Sequence, residues 1–222
     1  LSSAASDVYK RQGDGVDAVI PRSVTAIDGK AFTYDNAVRA RLKSVTIPGS
    51  VKAVPAGAFD GCMFLQSVTF ENGVQSVGEG AFKGCASLAS VTVPPTLKRF
   101  EQDAFKDCAN LTRVNIADLS SWCTTFFKTP SANPLSRILI IDYDRKARPG
   151  ALYVNGRHLT ELTVPAGVTE IGDFGLAGDG LTAVTLPDGL QSLGRGAFDS
   201  CASLTNTTLP AAITACLLYT SD

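Results

Sequence analysis

LKSVTIPGSVKAVPAGAFDGC, residues 42–62, decides the fold, because the chain repeats it. LTAVTLPDGLQSLGRGAFDSC, residues 181–201, is a second good copy. From the first copy onward Leu42, Leu65, Leu88 and Leu111 recur every 23 residues, and Val45, Val68, Val91 and Val114 keep the same step. The series resumes at Leu159, Leu181 and Leu204. Each unit reads approximately L-x-x-V-T-I-P-x-x-V-x-x-I-G-x-x-A-F-x-x-C. Self-similarity at such a period marks an array of coils, each unable to bury its apolar edge until its neighbours stack on it.

The slots have distinct physical tasks. In Val45-Thr46-Ile47 the outer two side chains share one strand face and the middle one points away. Pro48 cannot donate a ladder hydrogen bond and ends the strand. Val51 and Val54 turn a second apolar edge inward, and the glycine-rich piece before Ala58-Phe59 suits a tight turn or short helix. Stacking therefore predicts parallel strands centred on Val45–Ile47, Val68–Phe70, Val91–Val93, Val114–Ile116, Leu162–Val164 and Val184–Leu186. It also predicts an internal spine of Phe32, Phe59, Phe82, Phe105 and Phe198, with Leu176 substituting in one coil. Three units depart from the pattern. Glu71 replaces the strand-end Pro, Asp179 replaces the Cys, and 33–41 carries about four extra residues.

The repeat, and above all its IGxxAFxxC element, resembles the BspA-type (Treponema-type) leucine-rich repeat family across nearly all of 13–215. The resemblance implies an α/β fold: a leucine-rich repeat right-handed solenoid with parallel β-strands, short helical or turn segments, and an inserted β-hairpin. It also implies a secreted or cell-surface protein, since proteins of this kind are typically bacterial or protist surface proteins implicated in adhesion to host proteins or other cells.

The array is interrupted after Leu111. The segment NIADLSSWCTTFF (115–127) is expected to stay in register, with Trp122 in the slot of Phe100 and Phe127 in that of Phe105. Lys128 to Ala151 is then extra, with an apolar strand candidate at Leu135–Ile141 and a charged turn, DYDRKARPG. Asn155-Gly156 is a strong signal for a two-residue hairpin turn. DLSSWC…NPL…LYVNG…LTVP resembles an insertion recurrent in the same family, and a hairpin projecting from the solenoid is expected. It reads either as a spacer between half-arrays or as a binding loop.

The two ends read differently from the rest. SSAASDVYKRQ (2–12) back-translates to a DNA string containing GTCAGATGTGTATAAGAGACA, whose reverse complement encodes CLLYTSD (216–222). Both resemble a translated transposase-library adapter, so 1–12 and 216–222 are expected to be non-native. The expected organisation is a first half-array at 13–127, an insertion with the hairpin at 128–158, and a second half-array at 159–215. The coils around Val24, Ile27 and Phe32 and around Leu209 and Ile213 are expected to lack polar caps.

Composition narrows the function. Hydrophobic residues make up 45% and charged residues 18%, enough for a buried core, and the formal net charge is -1 with no basic run. That argues against nucleic acid, which needs clustered Lys and Arg, and no apolar stretch is long enough to insert in a membrane. The lone His158 has no Cys or Ser nucleophile motif beside it and reads as an exposed residue. No catalytic, cofactor or metal site is expected. Cys62, Cys85, Cys108 and Cys201 occupy one slot, readable as a ladder of small buried residues, as disulfides, or as a zinc site. Asn110 and Asn206 head sequons that matter only in a eukaryotic secretory host.

What remains is a polar outward face. Thr46, Thr69, Thr92, Asn115, Thr163, Thr185 and Thr208 form one column, and Arg113, Glu161 and Asn206 vary an adjoining column of Ser and Ala. With Asn155 and Gly156 of the turn, these are the candidate partner-binding residues, and the expected partner is a host or other cell-surface protein. A spacer array carrying another domain, or an enzyme whose catalytic domain lies elsewhere, stays open.

Overall fold

The computed structural model describes residues 9–12, 15–29, 31–33, 39–135, 150–178 and 180–216. The first strands, β1 (Tyr9–Gln12) and β2 (Gly15–Val19), pair antiparallel. The repeat then gives each coil a longer and a shorter strand. These are β3 (Leu42–Ile47) with β4 (Ala53–Val54), β5 (Ser67–Phe70) with β6 (Ser76–Val77), β7 (Ser90–Val93) with β8 (Arg99–Phe100), and β9 (Arg113–Ile116) with β10 (Phe126–Phe127). The longer strands stack in parallel, with Val45, Val68, Val91 and Val114 in one cross-strand row. The shorter ones form a parallel sheet of their own, in which Val54, Val77, Phe100 and Phe127 line up. Alternation explains both, since the Val and Ile positions are buried and the Ser and Thr between them are not.

The spine stacks as the repeat predicts. Phe59 and Phe82 lie 5.0 Å apart at 2° and Phe82 and Phe105 5.4 Å apart at 6°, with Phe32 stacked on Phe59 at 4.5 Å. Each buried Phe contributes about 1.5–3 kcal/mol by removal from water, and each stacked pair about 0.5–1.5 kcal/mol more. A third ladder runs along this corner, for Phe59 donates its N–H to Ala81 O and Phe82 donates its own to Ala104 O.

The fourth coil corrects the expected register. Phe127 pairs with Phe100, not with the slot of Phe105, and the two rings stack at 5.1 Å. The step from Phe100 to Phe127 is 27 residues where Val77 to Phe100 is 23. The added length is one helical turn, α1 (Leu119–Cys123), capped by Asp118, which accepts from Ser121 N. Trp122 sits on this helix against Phe127 instead of in the Phe100 slot. The spine slot after Phe105 falls to Ala132, because the Phe105 N–H reaches Ser131 O.

The expected projecting hairpin also differs. β11 (Ala151–Val154) enters the long sheet directly, in parallel with β9, so that Leu152 continues the Val row and Val154 the Ile row. The chain turns at Asn155-Gly156, with φ of 49° and 80°, into the antiparallel β12 (Arg157–Leu159), which ends that sheet. Apolar Leu152 and Val154 are what draw the strand into the stack. Of the strand candidate Leu135–Ile141 and the charged turn, all but Leu135 and Gly150 lie outside the described residues.

Two further sheets follow, β13 (Glu161–Thr163), β15 (Ala183–Thr185) and β17 (Asn206–Thr208) in one, β14 (Glu170–Ile171), β16 (Ser192–Leu193) and β18 (Ala215–Cys216) in the other. The seam between the arrays is sealed by side chains. Buried Asn133 donates to Phe174 O at 2.6 Å and accepts from Leu135 N at 2.8 Å, while Gly172 N reaches Cys123 O at 2.8 Å. At Gly180 a side chain would meet Gly150 O at 2.5 Å, so only glycine permits the approach. Phe174 takes, at φ 57°, the left-handed slot that Gly57, Gly80 and Gly196 fill elsewhere, a strained choice for a bulky residue that its burial offsets.

Candidate functional site

The outer face of the long sheet carries the polar columns. Thr46, Thr69, Thr92 and Asn115 lie in one cross-strand row, and Tyr153 and then His158 continue it on β11 and β12. Beside it run Ser44, Ser67, Ser90 and Arg113. Three of the Thr are half-buried, because each is flanked by neighbours at one strand spacing. At the far edge Ser44 donates to Asp17 at 2.6 Å. The middle of the face is thus neutral hydroxyl, with a carboxylate at one side and an arginine at the other.

The structure does not bring all the candidates together. Thr163, Thr185, Glu161 and Asn206 stand on the separate β13-β15-β17 sheet, exposed, in rows Glu161–Ala183–Asn206 and Thr163–Thr185–Thr208. Asn155 and Gly156 are exposed at the turn. The residues brought to Arg113 are others. Its Cζ lies 3.9 Å from the Tyr153 ring centroid, and its Nε donates to Asn115 Oδ1 at 3.0 Å. Tyr153 in turn stacks on His158, centroids 5.1 Å apart at 27°. Sequence reading omitted Tyr153 and read His158 as merely exposed. The signal was available: a two-residue turn at Asn155-Gly156 fixes Tyr153 opposite His158.

A leucine-rich repeat model of BspA type matches residues 6–133 and 151–220 in 6 copies. The chain belongs to the BspA-type leucine-rich repeat family. No match is found among curated proteins. Similar solved structures include the pneumococcal vaccine antigen PcpA, at 17% identity and TM-score 0.37 over 93% of this chain and 60% of that one. A leucine-rich repeat protein from Bacteroides ovatus is similar at 17% identity and TM-score 0.48, over 94% and 59%. A leucine-rich cell-surface protein from Faecalibacterium prausnitzii is similar at 21% identity and TM-score 0.30, over 95% and 76%. The chain thus spans about 60% of the length of the first two.

In this BspA-type array the cysteine slot has a backbone task. Cys85 donates its thiol to Phe59 O, Cys108 to Phe82 O and Cys201 to Leu176 O, each at 3.2 Å, and Cys62 reaches Phe32 O at 3.9 Å. Each thiol tethers its coil to the spine residue of the coil before. Cys62, Cys85, Cys108 and Cys123 form no disulfide among the described residues. Burial pushes the Cys62 and Cys123 thiols up to about 12, and Cys85 is raised by the neighbouring Cys108 thiol and by burial. Such thiols are poor nucleophiles and poor metal ligands at neutral pH. Among the described residues no group of three or more His, Cys, Asp or Glu could hold a metal ion, and no helix is long and apolar enough to cross a membrane.

Proposed function

We propose that the chain is a protein-binding, adhesive module of a secreted or cell-surface protein, and that the outer face of the long sheet is its recognition surface. The observation that carries this reading is the unbroken polar row from Thr46 to His158, in which side chains at one strand spacing present hydroxyl, amide and aromatic groups in register, with Arg113 in the row beside it. Solenoids offer such extended surfaces to partners, and membership of the BspA-type family supports a surface location. In the same reading the array winds right-handed, and the β11–β12 hairpin belongs to an insertion at 128–158 between half-arrays 13–127 and 159–215. Recognition uses Thr46, Thr69, Thr92, Arg113 and Asn115. Thr163, Thr185, Glu161 and Asn206 serve a second, smaller face, and no nucleic acid or cofactor takes part.

The test is capture of extracellular-matrix and cell-surface proteins by the immobilised chain. Thr69→Arg with Thr92→Arg should lower capture at least tenfold with circular dichroism unchanged, while Ser76→Arg on the second sheet should not. A second reading, a spacer that holds another domain away from the envelope, is favoured by the monotony of Ser44, Ser67 and Ser90. It is preferred if no protein is captured or if the double variant changes nothing.

A further inference from the structure

Three arginines of the described residues lie over aromatic rings, and two of them have their own carboxylate. Arg99 covers Phe126 at 4.7 Å and is paired with Glu101; Arg195 covers Phe174 at 5.3 Å and is paired with Asp173 at 3.7 Å. Arg113 covers Tyr153 at 3.9 Å and has no carboxylate partner among the described residues. It is exposed, yet already organised. Tyr153 stands between it and His158, and Asn115 holds its Nε, which leaves both Nη groups uncommitted among the described residues. Strands β9, β11 and β12 carry Arg113 and Arg157 and no Asp or Glu. Glu161 lies on the other sheet and makes no ion pair with Arg113.

The geometry points to a carboxylate receptor: an Asp or Glu side chain of the protein partner docks on the Nη edge of Arg113, at the end of the face where the Tyr153–His158 stack stands. This rests on the protein-binding reading above. A guanidinium matches a carboxylate with two parallel hydrogen bonds, and one held in place by stacking loses little further freedom on binding. A guanidinium beside neutral hydroxyl rows suits an acidic side chain of a folded protein. A polyanionic glycan or nucleic acid requires clustered cations, and the described strands of this end, β9, β11 and β12, carry only Arg113 and Arg157.

The experiment is an NMR titration of the full chain, following the Arg113 Nε–H signal, with a soluble Asp-Ser repeat peptide, its Asn-Ser analogue and heparin as probes. The Asp-Ser peptide should shift the signal saturably at low salt and the Asn-Ser analogue should not. Arg113→Lys, which keeps the charge but not the fork, should weaken binding at least tenfold; Tyr153→Leu should weaken it less, and Arg99→Ala should not change it. Equal shifts from the Asn-Ser analogue, an unaffected Arg113→Lys variant, or preferential binding of heparin would each overturn the proposal. Should Thr69→Arg with Thr92→Arg abolish protein capture while Arg113→Lys is harmless, the recognition face survives and the carboxylate receptor does not. Should neither substitution matter, both readings fail.

Discussion

The coils from Leu42 to Ile116 and the seam of residues 117–135 and 150–178 solve the same problem by different means. In the regular coils every inward slot has a like neighbour, and the backbone bonds to the backbone of the next coil along three ladders. At the seam the like neighbour is missing, since Ala132 follows Phe105 and Pro130-Ser131-Ala132 form a short 3-10 turn where the regular corner would be. Side chains take over. Asn133 seals the Phe174 carbonyl, Asp118 caps α1, and Lys98 reaches from the coil before to Ser121 O at 2.8 Å. The three buried polar residues of the described core, Thr125, Ser131 and Asn133, all fall here. Repetition makes stability inexpensive in distinct residues, whereas each break in it demands a specific hydrogen bond. On the last regular strand before the break and the first strand after it, the outer face turns from uniform Ser and Thr to Arg113, Asn115 and Tyr153.

The contrast can be broken most forcefully in the regular coils. Phe82 lies between Phe59 and Phe105 and is fully buried, so Phe82→Ala should cost about 3–5 kcal/mol in urea unfolding. A loss under 1 kcal/mol would mean that the spine does not carry the array. At the seam, Asn133→Leu should cost about 2–3 kcal/mol, because it strands the Phe174 carbonyl and the Leu135 N–H in an apolar setting. A neutral result would show that neither group is truly sealed.

Alkaline pH sharpens the cysteine assignment. Folded Cys62 and Cys123 titrate near about 12, above the ordinary value of about 8.5 expected when unfolded. The unfolded chain therefore loses these protons first. Their contribution is fully present below about pH 8.5 and falls by about 1.4 kcal/mol per pH unit per thiol above it, until the folded thiols also ionise. Cys62→Ala with Cys123→Ala should flatten the stability profile between these limits. An unchanged slope would place both thiols in contact with water.

Much of this was legible in the sequence, and the reason is repetition. Leu42, Leu65, Leu88 and Leu111, each 23 residues from the next, predict the parallel stacking and the Phe59–Phe82–Phe105 spine. The fourth coil was misread because the expected register used ring-to-ring spacing alone, with Phe127 matched to the nearest Phe slot. Asp118 followed by Leu119-Ser120-Ser121 is a helix start, and the turn it adds shifts Phe127 onto Phe100. The thiol-to-carbonyl bonds of Cys85, Cys108 and Cys201 could not be read at all, since a period tells which residues stack but not which atoms meet. The Arg113–Tyr153 pair arises across the segment 117–150, a separation at which sequence carries no phase.

The smallest effect is expected at the largest buried side chain. Trp122 is buried, and its Nε1–H has no hydrogen-bond partner among the described residues. Trp122→Phe loses apolar area but removes a stranded donor, so the net change should stay within about 1 kcal/mol. A loss of 3 kcal/mol or more would reveal a partner for that N–H.

Trp122 is also the sole tryptophan, and it sits on the seam helix. It allows the central claim, that the seam is bonded as firmly as the coils it joins, to be read directly. Urea unfolding is followed at once by Trp122 fluorescence, which reports the seam, and by far-ultraviolet circular dichroism, which reports the sheets. The two curves should coincide in the native chain, and in Asn133→Leu the fluorescence curve should move to lower urea ahead of the dichroism. A native chain whose fluorescence changes well before its dichroism would contradict the account.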